Sequence, residues 1–456
     1  MCGVSERVVV IGGGLAGSEA AWQAAEGGLA VELWEMRAGG QLTPAHRTPC
    51  MAELVCSNSL GSMLPDRASG VLIAELEKMG SLLVQIAREV ALPAGGALAV
   101  DRQRFSRNVH ERLLAHPRIR VIPREARRIP EGLAIVASGP LTSDALAQDL
   151  ARLTGEEHLY FFDALAPIVE AESIDLGIAF RGSRYGRGQT DEGDYLNCPL
   201  NKGQYDAFVE ALQSAERIPL RSFEEQVSDG VIAGRKSYFE GCLPIEILAA
   251  RGHLALAYGP MRPVGLIDPR TGKRPFAVVQ LRQDDLAGSL YNMVGFQTNL
   301  KHDAQRCVLR MIPGLGNARF VRFGQMHRNT YVNAPALLAA TLQHRQRLEL
   351  LLAGQIIGVE GYLGNIGTGL LAGVNACRIA HGHAPLILPL STMLGALCHY
   401  VAHSDALTFQ PMKANFGLLP PLGGGKRANK RERARMHAER SSADLAEYWE
   451  THADCA

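Results

Sequence analysis

No charge of one sign dominates this chain. Forty-seven Lys and Arg stand against 46 Asp and Glu over 456 residues, a formal net charge of +1. A global field that draws in nucleic acid or a membrane surface is therefore missing, and such a partner must be held by a local patch. Cysteine is sparse: nine residues, with no Cys-x-x-Cys pair among them. That excludes a disulfide scaffold, a zinc ribbon and a thioredoxin-type pair, and no metal site is expected. The odd, scattered set suits free thiols in a reducing, cytoplasmic setting. No uninterrupted apolar window of about 18 residues occurs, so no transmembrane helix and no membrane partner are expected. The N-terminus lacks a basic leader, and its apolar run stops at a glycine; it reads as a strand entering a turn rather than a signal peptide. With 47% hydrophobic and 20% charged residues, bulk disorder is excluded. The length suits two to four structural units at roughly 150 residues each.

What is present begins at the N-terminus. Val8 to Ile11 form a continuous apolar run, as a parallel strand buried on both faces requires. An Ala-rich helix pattern follows from Leu15 to Glu26, closed by Gly27 and Gly28, and a second strand runs from Leu29 to Glu35. Between strand and helix lies Gly12-Gly13-Gly14-Leu15-Ala16-Gly17, a G-x-G-x-x-G fingerprint. Gly12 permits the tight turn, Gly14 lets a pyrophosphate approach the backbone, and Gly17 allows close helix–strand packing. The helix N-terminus favours the anion. Glu35, about 20 residues on, stands where an acid accepts a ribose hydroxyl, and Arg37 beside it joins the predicted cofactor set.

The rest of the chain continues the α/β pattern. One helical period covers 70–92, another helix covers 103–116, and strands are expected at 119–122 and 133–137. From about residue 181 the texture becomes turn-rich and strand-rich, and at 346–376 it returns to a strand followed by a Gly-rich helix. The expected architecture is a Rossmann-like FAD-binding domain in two parts, 1–180 and 325–456, around an inserted strand-rich domain at 181–324. The fingerprint alone does not choose between FAD and NAD. Its N-terminal position and the late Gly-rich helix point to an FAD held by both chain ends, with Gly361 and Gly367 as late contacts. No second fingerprint follows a strand, so a nicotinamide binds transiently.

Two cysteines stand out. Cys56 lies in Glu-Leu-Val-Cys-Ser-Asn-Ser-Leu (53–60), and Cys242 lies in Phe-Glu-Gly-Cys-Leu-Pro-Ile-Glu (239–246). From context alone each is either a chemical thiol or a small buried hydrophobe. Together with GLAGSEAAWQ (14–23), SGPLTS (138–143), MHRNTYVNAP (326–335), GVEGY (358–362) and FQPMKANFGLLPPL (409–422), in this order, they make the chain resemble the bacterial folate- and FAD-dependent tRNA (uracil-5-)-methyltransferases over nearly its full length.

The resemblance implies FAD in the Rossmann-like domain, 5,10-methylenetetrahydrofolate as carbon donor, and NADH or NADPH as reductant. It implies tRNA as partner through its T arm, with 5-methyluridine at position 54 as product. It also implies Cys242 as nucleophile and Cys56 as a second essential cysteine. The chemistry agrees, because uracil carbon 5 becomes nucleophilic only after a thiolate adds to carbon 6. His327 and Arg328 are either substrate or flavin contacts or part of a hydrogen-bonded turn. Asn58 and Glu246 are singled out only by lying near the cysteines. Arg102, Arg104 and Arg107 face either phosphate or solvent, and the basic run 426–440 is either a tRNA contact or a solvated, frayed helix. The chain departs from the family at Leu363–Gly369, where a carboxylate is usual, and that departure is expected to bear on flavin binding. Two other readings compete: an FAD-dependent wobble-uridine enzyme, and a flavin-bound RNA-binding protein without methylase chemistry.

Overall fold

Residues 8–11 offer water no polar face, and the chain buries them as β1 (Arg7–Ile11) in the middle of a five-stranded parallel sheet. A computed structural model describes residues 6–43, 45–154, 159–218, 243–422 and 429–452. β2 (Ala30–Trp34), β3 (Ile119–Ile122), β4 (Ala134–Val136) and β5 (Leu350–Leu352) complete the sheet in the order β5-β4-β1-β2-β3. Every pairing is parallel. Both chain ends therefore contribute to one Rossmann-like layer, as the sequence predicts.

α1 (Leu15–Glu26) and α2 (Tyr362–Ala380) lie backbone to backbone beside this sheet. A Cβ on Gly369 would fall 2.2 Å from the Ala16 carbonyl oxygen, and one on Gly373 would fall 2.6 Å from that of Ala20. Neither distance is compatible with a side chain. Gly367 of the same helix faces Leu394 and Leu76 instead. Most of the late glycines thus serve helix packing, and Gly367, expected as a cofactor contact, packs against Leu394 and Leu76.

The helical period at 70–92 resolves into two helices, Ala68–Lys78 and Leu82–Glu89. Gly80 takes φ +78 between them, and Ser81 caps the second by accepting from the Val84 N–H. Buried Glu19 of α1 accepts from Ser81 Oγ, Leu82 N and Leu83 N, satisfying backbone donors the break exposes. Residues 430–440 of the C-terminal basic run open a long helix. Helix Lys430–His452 buries Ala434, Ser441 and Leu445, and Ser441 donates to buried Glu75, whose carboxyl burial pushes up to about 6.

The second unit is a six-stranded antiparallel sheet. Its order is Phe180–Gly182, Tyr195–Leu200, Ala277–Gln283, Leu290–Met293, Ile168–Glu170, Phe320–Arg322. Helix Lys202–Ser214 packs Tyr205, Phe208 and Leu212 into its core. Because Ile168–Glu170 sits inside this sheet, the insertion begins before residue 168 and not at 181. A two-stranded ribbon, Leu159–Ala164 against Met326–Tyr331, carries the chain in and out. Among the described residues no helix is long and apolar enough to cross a membrane.

The α1–α2 contact yields a direct test. Gly369→Val should destabilise the fold by about 1–3 kcal/mol or more, read as a lowered thermal midpoint. Gly316→Ala, whose added Cβ meets nothing within 4 Å, is the control and should leave the midpoint in place.

Candidate active site

The three fingerprint glycines divide their labour visibly. Gly12 takes φ +97, and a Cβ there would lie 2.6 Å from the Ala137 carbonyl oxygen. A Cβ on Gly17 would lie 1.7 Å from the Gly12 oxygen. Gly14, by contrast, has no atom within 4 Å of its Cβ position and lines an open cleft. The first and third glycines are required by the protein, and the second leaves room for a ligand.

Glu35 and Arg37 tie this turn to the end of β2. Glu35 Oε2 accepts from Gly13 N at 2.6 Å and Arg37 Nη2 at 3.1 Å, while Oε1 accepts from Arg37 N at 2.9 Å and Nε at 3.0 Å. Arg37 also donates to the Gly13 and Cys50 carbonyls. Burial acts to raise the Glu35 carboxyl, but the Arg37 charge and the N–H donors outweigh it and hold it below the usual range. Each carboxylate oxygen already accepts two hydrogen bonds. Glu35 therefore organises the turn first, and a ribose hydroxyl can join only as an added partner.

Gly12, Gly14, Leu15, Ala16, Glu35 and Arg37 line the cleft. Gly13 gives its N–H to Glu35, and Gly17 lies in the helix–strand contact. Gly361 precedes α2 with φ +84, beside Tyr362, which lines the cleft. Sequence reasoning missed Asn365 on the first turn of α2. Its Oδ1 is buried without a hydrogen-bond partner among the described residues, and the residue lines the cleft. Within the departing segment Leu363–Gly369, Asn365 is the one that reaches this space, whereas Gly364 packs on Val359 and Leu397. An open glycine, an orphaned amide and two helix N-termini fit a dinucleotide with a pyrophosphate. His46, also missed, lines the cleft and pairs with Thr43 Oγ1 at 2.6 Å; burial and then the Arg37 charge pull its imidazole down to about 4.

Cys56 sits against the wall of this cleft, between lining residues Val55 and Tyr362. Its N–H and that of Ser57 both donate to Tyr362 Oη, at 2.9 and 3.0 Å. Asn58, fully buried, donates to the carbonyls of Val100 and Gln283. Arg282 Nε donates to Asn58 Oδ1 at 2.8 Å and its Nη2 to Ser57 Oγ at 2.6 Å. Arg102 donates to the Leu54 carbonyl at 2.5 Å and forms a two-point pair with Asp284. Residues 54–58 are thus clamped at the seam of the two units. Arg102 is buried there and faces no phosphate, while Arg104 and Arg107 of the same helix are exposed. Cys56 is a partly exposed free thiol. Cys198 and Cys398, fully buried, and Cys377 are the bland kind, their thiols pushed up to about 12 by burial.

Cys242 lies outside the described residues. Glu246, four positions on, is buried and accepts from Thr298 Oγ1 and Asn299 N at 2.8 Å each, a structural task. The backbones of His327 and Arg328 pair with Asp163 and Phe162 in the linking ribbon, and their side chains lie outside the described part.

Comparison with known proteins gives the chain's family. The model of the family described as glucose inhibited division protein A matches residues 7–384. A methylenetetrahydrofolate--tRNA-(uracil-5-)-methyltransferase TrmFO of Moorella thermoacetica is 56% identical over 439 residues, covering 96% of this chain and 97% of its own. The like-named protein of Synechococcus elongatus is 51% identical over 463 residues, covering 99% and 97%. Among solved structures, Aquifex aeolicus GidA superposes with a TM-score of 0.65 at 16% identity, covering 98% of this chain and 76% of that one, a likeness of fold.

Two expectations follow from the cleft. Gly14→Ala should fold with stability unchanged within about 0.5 kcal/mol, since its Cβ meets no protein atom, yet bind dinucleotide about tenfold or more weakly by titration. For His46, the unfolded chain takes up a proton near 6.5 and the folded chain only near 4. Protons therefore favour unfolding between these values, so stability should rise with pH across that window, and the rise should shrink in His46→Asn denaturant titrations.

Proposed function

This chain belongs to the glucose inhibited division protein A family and, within it, to the TrmFO methyltransferases, and from that membership we propose that it methylates carbon 5 of a tRNA uridine with a carbon from methylenetetrahydrofolate. The observation that carries the reading is identity above half over nearly the whole of both chains. The uridine is that of the T loop, position 54. Gly14 and the first turn of α2 would hold FAD in the cleft, where it would supply the redox chemistry that reduces the transferred carbon at the expense of NADH or NADPH.

The chain's residues bring the pyrimidine to reactivity. The Cys242 thiolate adds to carbon 6, and the electron pair of the ring double bond makes carbon 5 nucleophilic. Once carbon 5 has bonded to the one-carbon unit, Cys56 accepts the carbon-5 proton, and the electron pair left behind expels the carrier nitrogen to leave an exocyclic methylene. One hydride equivalent, drawn ultimately from the nicotinamide, reduces that methylene to the methyl group, and the returning electron pair expels Cys242 from carbon 6 and restores the ring double bond. The tRNA is held by exposed basic surface such as Arg181, Arg187 and the start of helix Lys430–His452, since Arg102 is withdrawn into the seam. A tRNA substrate and free thiols suit the cytoplasm.

The test is incubation of the FAD-loaded chain with unmodified tRNA, labelled methylenetetrahydrofolate and NADPH. Label should appear in T-loop 5-methyluridine, vanish in Cys242→Ala, and fall by about 100-fold or more in Cys56→Ser. Label at the wobble position, or undiminished label in Cys242→Ala, sinks the reading.

A further inference from the structure

Three buried arginines lie around the Cys56 loop, and two of them hydrogen-bond to it. Arg102 is taken by Asp284 and the Leu54 carbonyl, and Arg282 by Asn58 and Ser57. Arg322 is different. It ends the strand Phe320–Arg322 of the inserted unit, is 9% exposed, and has Nη2 buried with no hydrogen-bond partner among the described residues. Tyr362 and Cys56 lie near enough to favour its charge, Arg102 and Arg47 oppose it, and its own charge reaches His46. Burial first, then Arg102, pulls its guanidinium down to about 10, so it stays cationic at neutral pH.

A buried, unpaired cation disfavours the fold that contains it. Arg322 clamps nothing, because Arg102 and Arg282 already fix the loop. Such a cost persists where a ligand offsets it. We propose that Arg322 is a catalytic oxyanion-binding group, which holds oxygen 4 of the target uracil while Cys56 works at carbon 5. The inference rests on the methylation proposed above.

Ring connectivity supports the assignment. Carbon 5 is bonded to carbon 4, so a uracil whose carbon 5 meets Cys56 presents oxygen 4 to the adjoining surface. Addition of a thiolate to carbon 6 drives the double-bond electron pair through carbon 5 onto oxygen 4. Bonding of carbon 5 to the one-carbon unit withdraws that charge, and loss of the carbon-5 proton to Cys56 restores it. A fixed guanidinium therefore meets a charge that develops twice and is absent from the neutral ground-state ring, which is where preorganised electrostatics accelerate a reaction. The pyrimidine edge of the flavin carries a similar oxygen and is the second source of such a charge.

The experiment compares Arg322→Gln and Arg322→Lys with the parent, all FAD-loaded. Covalent adduct formation with a T-arm RNA containing 5-fluorouridine should slow by about 100-fold in Arg322→Gln and recover partly in Arg322→Lys. The effect should fall on kcat more than on KM. Arg322→Gln should melt no lower than the parent, whereas an arginine with a structural role would lower the midpoint. The reduction potential of the bound FAD should not move. A shifted potential with an unchanged adduct rate assigns Arg322 to the flavin and overturns the uracil assignment. Parent-like adduct rate and potential together overturn the proposal altogether. If the parent itself forms neither adduct nor 5-methyluridine, the methylation reading fails, while the melting and potential comparisons still report on Arg322.

Discussion

The fold rests on one close approach of backbone to backbone. α1 must leave β1 through a turn with no side chains, and α2 must then lie directly on α1. Gly17 lets α1 meet the Gly12 carbonyl, and Gly369 and Gly373 let α2 meet those of Ala16 and Ala20. Because α2 comes from the far end of the chain, this contact closes the Rossmann-like layer around everything inserted between. It also brings the N-terminus of α2 to the cleft that the N-terminus of α1 opens, so two helix dipoles share one site. The cleft is a consequence of the packing.

A second constraint operates at the seam. The loop carrying Cys56 belongs to the first unit, yet Arg282, Asp284 and the Gln283 carbonyl of the second unit hold it or its partners. Hydrogen bonds to charged groups in buried surroundings are worth about 1.5–3 kcal/mol each, so the clamp sets the position of the thiol more firmly than loop packing could. The buried thiols Cys198, Cys377 and Cys398 mark the alternative fate: packed into a core, a cysteine serves as a small side chain that fills space.

The sequence made some of this legible. An apolar run into G-x-G-x-x-G specifies a strand, a turn and a helix N-terminus because few other conformations satisfy three glycines at that spacing. The Gly-rich stretch at 358–369 was ambiguous, because a glycine reserved for a ligand and a glycine reserved for a neighbouring helix look the same in one dimension. Gly14 faces open space, whereas Gly367 meets Leu394 and Leu76. Glu35 was found, but its saturation by Gly13 and Arg37 depends on a side-chain conformation that no spacing reveals. Arg102 read as a surface cation because its partner Asp284 is 182 residues away. The insertion boundary was placed late because Ile168–Glu170 is too short to announce which sheet it joins.

The same burial changes the meaning of the charge balance. Counting 47 basic against 46 acidic residues treats every charge as available to a partner. Arg37, Arg102, Arg282 and Arg322 are instead buried, and three of them are consumed by carboxylates, amides and carbonyls. Several acids are withdrawn in the same way, Glu19, Glu35, Glu75 and Glu246 among them. The surface field is set by what remains, and its pattern can differ in either sign from the total. A nearly neutral chain can therefore carry a basic RNA-facing surface, provided its acids are the ones spent inside on helix ends and turns, as these four are. Buried charge also separates two uses of arginine: a paired guanidinium fixes geometry, and an unpaired one leaves its charge to a ligand. Arg282 and Arg322 lie on the same sheet, approach the same cysteine, and divide along that line.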